Sequence, residues 1–354
     1  MKGLILSGGK GTRLAPLTYT RAKQLVPIAN RANIDYAVTD LTDAGITDIG
    51  VIISPETGPE VQAHLGNGER YGARFTFITQ DHPGGLAHAV RTAEGYLKDD
   101  AFIMYLGDNL LDGGIRHIIE KAAREHADAC ILLTPVENPS QFGVAVRDQE
   151  GRVTKLVEKP QAFISNLALV GVYYFTARIH PIIHHLKPSP RGELEITDAI
   201  QGLLDSGANV QCEEVKGWWK DTGRPEDLLD ANRLILNRTQ RHLEGQITDS
   251  EIVGSVHVSA GATVSGSRLR GPINIAAGAI IENSYIGPYT SIGEHATVQN
   301  SEVEYSILMR HASISNLERR LDSSILGEHA SITTDNTRRN TTQFTLSDRS
   351  SVHL

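Results

Sequence analysis

The first 135 residues alternate short apolar runs with stretches of helical periodicity. The apolar runs predict five β-strands at Leu4–Leu6, Ile49–Ile53, Phe75–Ile78, Phe102–Leu106 and Ala129–Leu133. Helical spacing of apolar residues occurs around Tyr36–Ala44, Glu60–Leu65, Leu86–Tyr96 and Ile115–His126. This alternation predicts an α/β fold with a Rossmann-like, mostly parallel sheet and helices on both faces. Ligands of such sheets bind beyond the carboxyl ends of the strands.

From about Ile252 the apolar positions follow a different period. They recur in steps of five or six residues, with a single step of seven. Every third position is about 17 residues further on, which is typical of a hexapeptide-repeat β-helix with three short strands in each coil. The predicted inward positions are Val258, Val264, Leu269, Ile275, Ile281, Ile286, Ile292, Val298, Val303, Leu308, Ile314, Leu321, Leu326 and Ile332.

The two patterns predict two domains, at residues 1–240 and 241–354. A chain of 354 residues is long for a single core. The stretch Asp227–Leu243 has helical periodicity and is predicted to connect the two domains. After about Thr334 the repeat is lost, which predicts a loop before a last strand at Phe344–Leu346.

Charge and composition narrow the classes of partner. The net charge of −8 argues against a nucleic-acid or anionic-membrane surface, and no apolar run approaches membrane-spanning length. The first strand begins at once, so no signal peptide is predicted. Cys130 lies in an apolar run and is expected to be buried, and two distant cysteines fit a reducing compartment. We therefore expect a cytoplasmic protein with neither nucleic-acid nor membrane partners.

The segment Ser7–Arg13 follows the first strand and carries three glycines. Glycine lets a backbone approach a ligand closely, and free N–H groups can face phosphate oxygens. Arg13 adds a planar cation suited to phosphate. Gly-Thr-Arg stands where a Walker loop needs Gly-Lys-Ser/Thr, and Leu14 stands where the dinucleotide motif needs its third glycine. The segment therefore predicts a phosphate cradle of another kind, although an unliganded turn would have similar residues.

The string Leu6-Ser-Gly-Gly-Lys-Gly-Thr-Arg-Leu-x-Pro-Leu-Thr18, followed by Lys23-Gln-Leu-Val-Pro-Ile28, resembles the signature of the sugar-phosphate nucleotidylyltransferases. Within them the chain is most similar to the long glucose-1-phosphate thymidylyltransferases. The resemblance implies the nucleotide-diphospho-sugar transferase fold, with a C-terminal left-handed parallel β-helix. It also implies transfer of a nucleotidyl group from dTTP to glucose 1-phosphate, with Mg²⁺ as cofactor and dTDP-glucose and pyrophosphate as products.

The resemblance also implies which residues act on the reacting phosphates and which bind the nucleotide. The catalytic residues would be Arg13, Lys23 and Lys159. Compact cations offset the repulsion between two approaching anions. Gln80 would recognise the base, since an amide offers both a donor and an acceptor to a pyrimidine edge. The full nucleotide-binding set would be Leu6, Gly8, Gly9, Gly11, Thr12, Arg13, Gln24, Gln80 and Gly85.

Asp108 and Asp221 would hold the metal ion in the resembled family. Each lies in an ordinary turn sequence, Gly-Asp-Asn or Asp-Thr-Gly, and alone would be interpreted as a turn carboxylate. Carboxylate oxygens in small number suit Mg²⁺, which keeps waters and takes further ligands from substrate phosphate.

Sugar recognition would come from Asn109, Gly143, Glu158, Lys159 and Val172, by the same resemblance. A carboxylate such as that of Glu158 can accept two hydroxyl hydrogen bonds from a hexose. The family usually has Tyr where this chain has Phe at position 142, which removes a hydroxyl group. In the string from Arg191 to Asp198, Glu195 and Asp198 are interpreted as helix-capping groups.

Three alternatives remain open at the level of sequence. The same chemistry could use UTP or another nucleotide with another sugar 1-phosphate. The β-helix could transfer acyl groups, because His295, His311 and His329 recur at coil spacing and would form a column, which could equally be a metal site or surface polarity. The chain could instead bind sugar nucleotides as a regulator. A β-helix with an exposed end also predicts a homo-oligomer.

Overall fold

The computed structural model describes residues 1–334 and divides into two compact units. The first unit comprises Met1–Lys10, Arg21–Leu25 and Asn33–Asp221, and the second comprises Gly11–Thr20, Val26–Ala32 and the chain from Thr222 onward. The predicted domain boundary at residues 240 and 241 stays a prediction. The predicted strand Phe344–Leu346 lies outside the described residues.

Thirteen strands and seven α-helices lie along the first 221 residues. The strands are β1 (Lys2–Ser7), β2 (Pro27–Ile28), β3 (Arg31–Ala32), β4 (Asp48–Ile53), β5 (Arg74–Thr79), β6 (Phe102–Leu106), β7 (Asn109–Leu111), β8 (Ala129–Pro135), β9 (Gly143–Arg147), β10 (Val153–Glu158), β11 (Leu167–Phe175), β12 (Val210–Glu214) and β13 (Trp219–Asp221). The helices are α1 (Asn33–Asp43), α2 (Gly58–Leu65), α3 (Leu86–Thr92), α4 (Glu94–Leu97), α5 (Arg116–Arg124), α6 (Ile179–His185) and α7 (Ile196–Asp205). The predicted helix Leu86–Tyr96 is thus two helices.

The main sheet has the strand order β10-β9-β11-β6-β1-β4-β5, with β8 against β11 and β12 against β8. Strands β6, β1, β4 and β5 run parallel, as do β8 and β12. Strand β11 enters antiparallel to β6, β8 and β9. The predicted mostly parallel α/β fold is therefore confirmed, and all five predicted strands are present. The sheet is mixed, because β9, β10 and β11 pair antiparallel.

The register of the central strands brings the predicted motifs to one edge. Leu6 pairs with Leu106, and its carbonyl oxygen accepts a hydrogen bond from the N–H of Gly107 at 3.0 Å. The N–H of Gln80 bonds to the carbonyl oxygen of Ile53 at 2.9 Å. Strand β1 is buried because parallel strands flank it on both sides. Its carboxyl end thus lies between those of β4 and β6, with β5 on the far side of β4.

In the second unit, helix α8 (Pro225–Leu236) precedes sixteen short strands in the described part of the chain. These are β14 (His242–Leu243), β15 (Gln246–Thr248), β16 (Glu251–Val253), β17 (Val256–Val258), β18 (Thr263–Ser265), β19 (Arg268–Arg270), β20 (Ile273–Ile275), β21 (Ile280–Glu282), β22 (Tyr285–Ile286), β23 (Thr290–Ile292), β24 (Thr297–Gln299), β25 (Glu302–Val303), β26 (Ile307–Leu308), β27 (Ser313–Ser315), β28 (Ile325–Leu326) and β29 (Ser331–Thr333). The helix predicted over Asp227–Leu243 is too long, because Leu243 already pairs in parallel with Val258 of the β-helix.

The sixteen strands form three parallel sheets, in which each strand pairs with the strand one coil later. Val258 pairs with Ile275, and Ile275 with Ile292. Twelve of the fourteen predicted inward residues are buried, and Leu321 and Ile332 are partly buried against the same core. This arrangement is typical of a left-handed β-helix, so the second predicted fold is confirmed.

A ladder of serine hydroxyls connects successive coils of the β-helix. Ser250, Ser267, Ser284 and Ser301 each donate a hydrogen bond to the carbonyl oxygen two residues earlier. Each hydroxyl also accepts a backbone N–H from the next coil, for example that of Ser284 at Ser267 Oγ, 3.0 Å away. The repeat therefore satisfies its corner N–H groups with side chains.

Neither cysteine forms a disulfide, and both are buried. Burial raises the pKa of the Cys130 thiol to about 12, as expected for an inert residue in a strand. Among residues 1–334, no helix combines the length and the apolar character needed to cross a bilayer.

Candidate active site

The carboxyl end of β1 continues into Gly8 and Gly9, which let two functional side chains approach the backbone. A methyl group built on Gly9 would lie 2.9 Å from Lys23 Cε, and one on Gly8 would lie 3.2 Å from Gln80 Oε1. Two polar atoms next to this segment, Ser7 Oγ and Gln24 Oε1, are buried without a hydrogen-bond partner in the described residues. Buried polar groups normally have a hydrogen-bond partner, so these two atoms are candidates for hydrogen bonds to a ligand.

Gly11, Thr12 and Arg13 belong to the second compact unit. Gly11 has a φ of +63° and precedes a 3₁₀ turn at Thr12–Leu14, and its carbonyl oxygen accepts a hydrogen bond from Thr18 Oγ1 at 2.8 Å. The Arg13 side chain is exposed and has no ion pair within residues 1–334. An unpaired guanidinium on a glycine loop is available for an anion.

Lys23 and Asp108 form a partly buried ion pair in the first unit. Lys23 Nζ contacts Asp108 Oδ2, and the two side chains are 18% and 10% exposed. Burial by itself raises the pKa of Asp108, but the charge and hydrogen bond of Lys23 outweigh burial and hold that pKa below its usual value. Asp108 therefore stays ionised well into the acid range.

A two-stranded antiparallel ribbon fixes the position of Asp221. Strand β13 pairs with β7 so that Asp221 lies opposite Asn109, the neighbour of Asp108. Within residues 1–334, no group of three or more metal-ligating side chains could hold a metal ion by itself. Two carboxylates at one strand end nevertheless fit Mg²⁺, which completes its coordination with water and substrate phosphate.

Asn109 anchors this ribbon to the main sheet. Its Oδ1 accepts hydrogen bonds from Trp219 Nε1 at 2.7 Å and from the N–H of Gly171 at 3.2 Å. Its Nδ2 donates to Asp108 Oδ1 at 3.2 Å. Only one amide N–H is left over, so the predicted contact with sugar stays a prediction. Trp219, which the sequence analysis did not identify, also packs edge-on against Phe142.

A second group of residues surrounds Glu158 at the end of β10. Gly143 of β9 pairs with Glu158, and a methyl group on Gly143 would lie 2.9 Å from Glu158 Oε2. Thr197 Oγ1 donates to the same oxygen at 3.2 Å, and Arg191 Nη1 donates to Oε1 at 3.2 Å. Lys159 Nζ lies 3.8 Å from Oε1. The group thus combines a carboxylate with two cations.

The pKa of Glu158 is raised by burial and by the nearby charge of Glu195, while Lys159, Thr197 and Arg191 act in the opposite direction. Glu195 is the residue before helix α7, but its side chain makes no capping hydrogen bond. It accepts a hydrogen bond from Ser189 Oγ at 2.8 Å and lies 3.6 Å from Arg191. The interpretation of Glu195 as a helix cap is therefore wrong, and the residue belongs to the Arg191 cluster.

Some of the predicted site residues can contact a ligand only through their main-chain atoms. Val172 is fully buried in β11, where it pairs with Tyr105, so only its main chain can meet a ligand. Gly85 has a φ of +101°, and a side chain there would clash with the Leu194 carbonyl oxygen. Gly85 and Gly143 are glycines because neighbouring groups occupy the place of a side chain. The sequence analysis predicts no role for the Arg191 side chain, although it discusses the Arg-Gly-Glu-Leu-Glu string that contains it.

The histidines of the β-helix form the predicted column. The rings of His295 and His311 stack with centroids 5.2 Å apart, and those of His311 and His329 stack at 4.7 Å. Within the described residues, no side-chain hydrogen bond orients any of the three rings. An imidazole that acts as a general base usually has such a partner, so the geometry gives no support to acyl transfer.

Comparisons with known proteins agree with this architecture. The model of the nucleotidyl transferase family matches residues 2–238. A glucose-1-phosphate thymidylyltransferase of Streptomyces antibioticus is 46% identical over 100% of this chain and 99% of its own. A UTP–glucose-1-phosphate uridylyltransferase of Haloferax volcanii is 32% identical over 69% of this chain and 100% of its own. A crystal structure from Bacillus anthracis, provisionally assigned as a glucose-1-phosphate thymidylyltransferase, superposes with a TM-score of 0.63 and 38% identity, covering 66% of this chain and 94% of that one.

Proposed function

The chain belongs to the nucleotidyl transferase family, and we propose that it transfers a thymidylyl group from dTTP to glucose 1-phosphate. The products are dTDP-glucose and pyrophosphate. The observation that supports this most strongly is the contact of Lys23 with Asp108, next to the strand register that sets Asp221 opposite Asn109. Two carboxylates and an ammonium group suit a metal-assisted reaction between two phosphates.

The reaction is an in-line displacement at the α-phosphorus. An oxygen of the sugar phosphate forms a bond to that phosphorus, and the bond to the bridging oxygen of pyrophosphate breaks with its electron pair. Because the attacking oxygen is already an anion, the reaction needs no general base. Catalysis then consists of alignment and of charge stabilisation.

The proposed roles follow the two groups of residues. Arg13 and the glycine-rich segment bind the leaving pyrophosphate, and Lys23 stabilises the charge on the phosphates. Lys159 orients the phosphate of the sugar, with Arg191 as a second cation in the Glu158 cluster. Glu158 accepts hydrogen bonds from the hexose hydroxyls. Asp108 and Asp221 would hold Mg²⁺, which supplies positive charge against the phosphate oxygens when bound.

UTP is the alternative nucleotide, because one relative of this chain carries a uridylyltransferase name. Thymine and uracil differ by one methyl group, and deoxyribose and ribose by one hydroxyl. Such groups change selectivity by about 1–3 kcal/mol each. Both nucleotides therefore belong in the same test.

The test is release of pyrophosphate from dTTP, UTP, ATP, GTP and CTP with glucose 1-phosphate and Mg²⁺. We expect the highest kcat/KM with dTTP and loss of release when EDTA removes the metal. Preference for another triphosphate would keep the chemistry and contradict the base assignment. No release with any triphosphate or sugar phosphate would instead favour the regulatory interpretation.

A further inference from the structure

The amide of Gln80 is held in one orientation by two acceptors. Its Nε2 lies 2.8 Å from His88 Nδ1 and 3.3 Å from the carbonyl oxygen of Gly85. Gln80 Oε1 points toward Gly8 and has no hydrogen-bond partner within residues 1–334. Gln80 as a whole is 8% exposed, and this oxygen is its free acceptor beside the glycine-rich segment.

The loop between β5 and α3 is shaped to receive the His88 ring. The rings of His82 and His88 lie 4.5 Å apart between centroids. A methyl group on Gly84 would come within 2.8 Å of His88 Cγ and 3.1 Å of His82 Nε2. A larger residue at position 84 would therefore displace the imidazole from Gln80.

We propose that His88 is a positioning residue for nucleotide selectivity. By accepting from Gln80 Nε2, its Nδ1 fixes Oε1 as the atom that faces the base. A fixed acceptor selects a pyrimidine that carries a proton on N3, as thymine and uracil do, and disfavours cytosine, whose N3 is itself an acceptor. This inference rests on the proposed nucleotide site at Gln80. It adds the residue that decides which atom of the Gln80 amide faces the base.

The arrangement requires a neutral His88, because a protonated Nδ1 cannot accept a hydrogen bond. Burial lowers the pKa of His88 first, and the charges of His82 and Arg91 lower it further, against the opposing effect of Asp81. His88 is therefore neutral at pH 7 and above. Below its pKa, Nδ1–H would compete for Gln80 Oε1 and weaken the selection.

The experiment compares the full-length wild type with His88→Leu and His88→Asn. Leucine removes the acceptor, whereas the asparagine oxygen replaces it near the position of Nδ1. Loss of one neutral hydrogen bond corresponds to about fivefold in binding. We expect His88→Leu to raise the dTTP KM and lower the dTTP-to-dCTP ratio of kcat/KM by about that factor, at nearly unchanged kcat. His88→Asn should restore the ratio, and His184→Leu, at an exposed histidine of α6, is the matched control.

The pH dependence separates positioning from loss of packing. The dTTP KM of the wild type should rise as the pH falls through the pKa of His88, and that of His88→Asn should not. An unchanged nucleotide ratio in His88→Leu would overturn the inference, as would equal defects in the leucine and asparagine variants.

Equilibrium binding of dTTP and dCTP, measured without sugar phosphate, separates this inference from the proposed reaction. If the wild type turns over dTTP and the binding ratio is the same in all variants, the inference fails and the reaction stands. If the wild type releases no pyrophosphate but His88→Leu shifts the binding ratio, the reaction fails and the inference stands.

Discussion

The site at the sheet edge and the β-helix differ in how far apart along the sequence their contacting residues lie. At the site, partners are distant in sequence: Lys23 and Asp108 are 85 residues apart, and Trp219 and Asn109 are 110 apart. In the β-helix, each strand pairs with the strand one coil later, as Ile275 does with Ile292. A change at the site therefore alters several elements together, whereas a change in the β-helix is felt mainly by the neighbouring coils.

The residues proposed for catalysis and the aliphatic core of the β-helix belong to different regions of the chain. The site contains buried charges, an anchoring amide and backbone positions that admit only glycine. The β-helix core consists of aliphatic residues, with serine hydroxyls at the corners. Substitutions in the first region should change kinetics, and those in the second should change unfolding.

Asp221→Asn should have the largest effect on catalysis. It removes one of two carboxylates proposed for Mg²⁺, and we expect kcat to fall by about two orders of magnitude or more, as for loss of a group that stabilises charge in the transition state. The thermal midpoint should hardly change, because Asp221 lies on a short, partly exposed ribbon. Asp99→Asn, at an exposed position, is the control. Full turnover in Asp221→Asn would contradict the metal assignment.

Ile281→Ala should have the largest effect on stability. Ile281 is fully buried in the β-helix core, and such a truncation costs about 2–5 kcal/mol in the free energy of unfolding. The adjacent Ile280 is 39% exposed, so Ile280→Ala is a closely matched control with a much smaller cost. Denaturant unfolding measures both, and kcat should stay near the wild-type value. Equal costs for the two variants would show that the alternation of inward and outward positions is wrong.

Arg191→Gln should weaken binding of the sugar phosphate. The guanidinium contacts Glu158 and lowers the pKa of that carboxyl, so its loss should raise the pKa of Glu158 further. We expect the KM for glucose 1-phosphate to rise by about tenfold, as for loss of a charge-assisted hydrogen bond.

The pH profile sharpens this test. Because the pKa of Glu158 moves upward, the variant should need a higher pH for full activity. Arg152→Gln, in the exposed turn between β9 and β10, should leave KM and the profile unchanged. An unaltered profile in Arg191→Gln would show that the guanidinium does not act on Glu158.

His311→Asn should produce the smallest effect, confined to acid pH. Desolvation and the charges of His329, His295 and Arg310 lower the pKa of His311, against the effect of Glu328. A lowered folded-state pKa gives stability that is present above the unfolded pKa of about 6.5 and is lost as the pH falls through the folded value. The thermal midpoint of the variant should therefore fall less below pH 6 than that of the wild type.

Asparagine suits position 311 because His311 has a φ of +58°, which Asn tolerates well. His126 has a φ of +51° outside the column, so His126→Asn controls for the backbone effect. If both variants showed the same change in stability at acid pH, the stacked rings would not be its cause.

The β-helix could be predicted in detail because its contacts follow a fixed step along the chain. The inward residues could be identified one by one from the period, and of the fourteen only Leu321 and Ile332, near the end of the described residues, are half-buried. Helix α8 was predicted to extend too far because the first strand, His242–Leu243, continues an apolar pattern that a helix also fits. Periodicity alone does not distinguish a helix end from a two-residue strand.

The site could be predicted only in part, because its contacts join distant segments. Strand order and register decide that Asp221 lies opposite Asn109, and neither is visible in local sequence. The roles of Arg191 and His88 depend on which side chain they meet, and the interpretation of Glu195 as a cap failed for the same reason. The residue assignments at the site stay predictions until variants are measured.

The register of the β-helix also bears on how this chain can change over generations. Because Val256 pairs with Ile273 and Ile273 pairs with Thr290, a segment of one coil can be gained or lost while every remaining strand keeps a suitable neighbour. The serine at the corner is duplicated or deleted with its coil. The number of coils is thus a heritable trait that can drift independently of the reaction. The turns between strands already vary by one residue, since Leu308 follows Ile292 by 16 residues and Leu326 follows Leu308 by 18, whereas an insertion within a strand would move its inward residue out of the core.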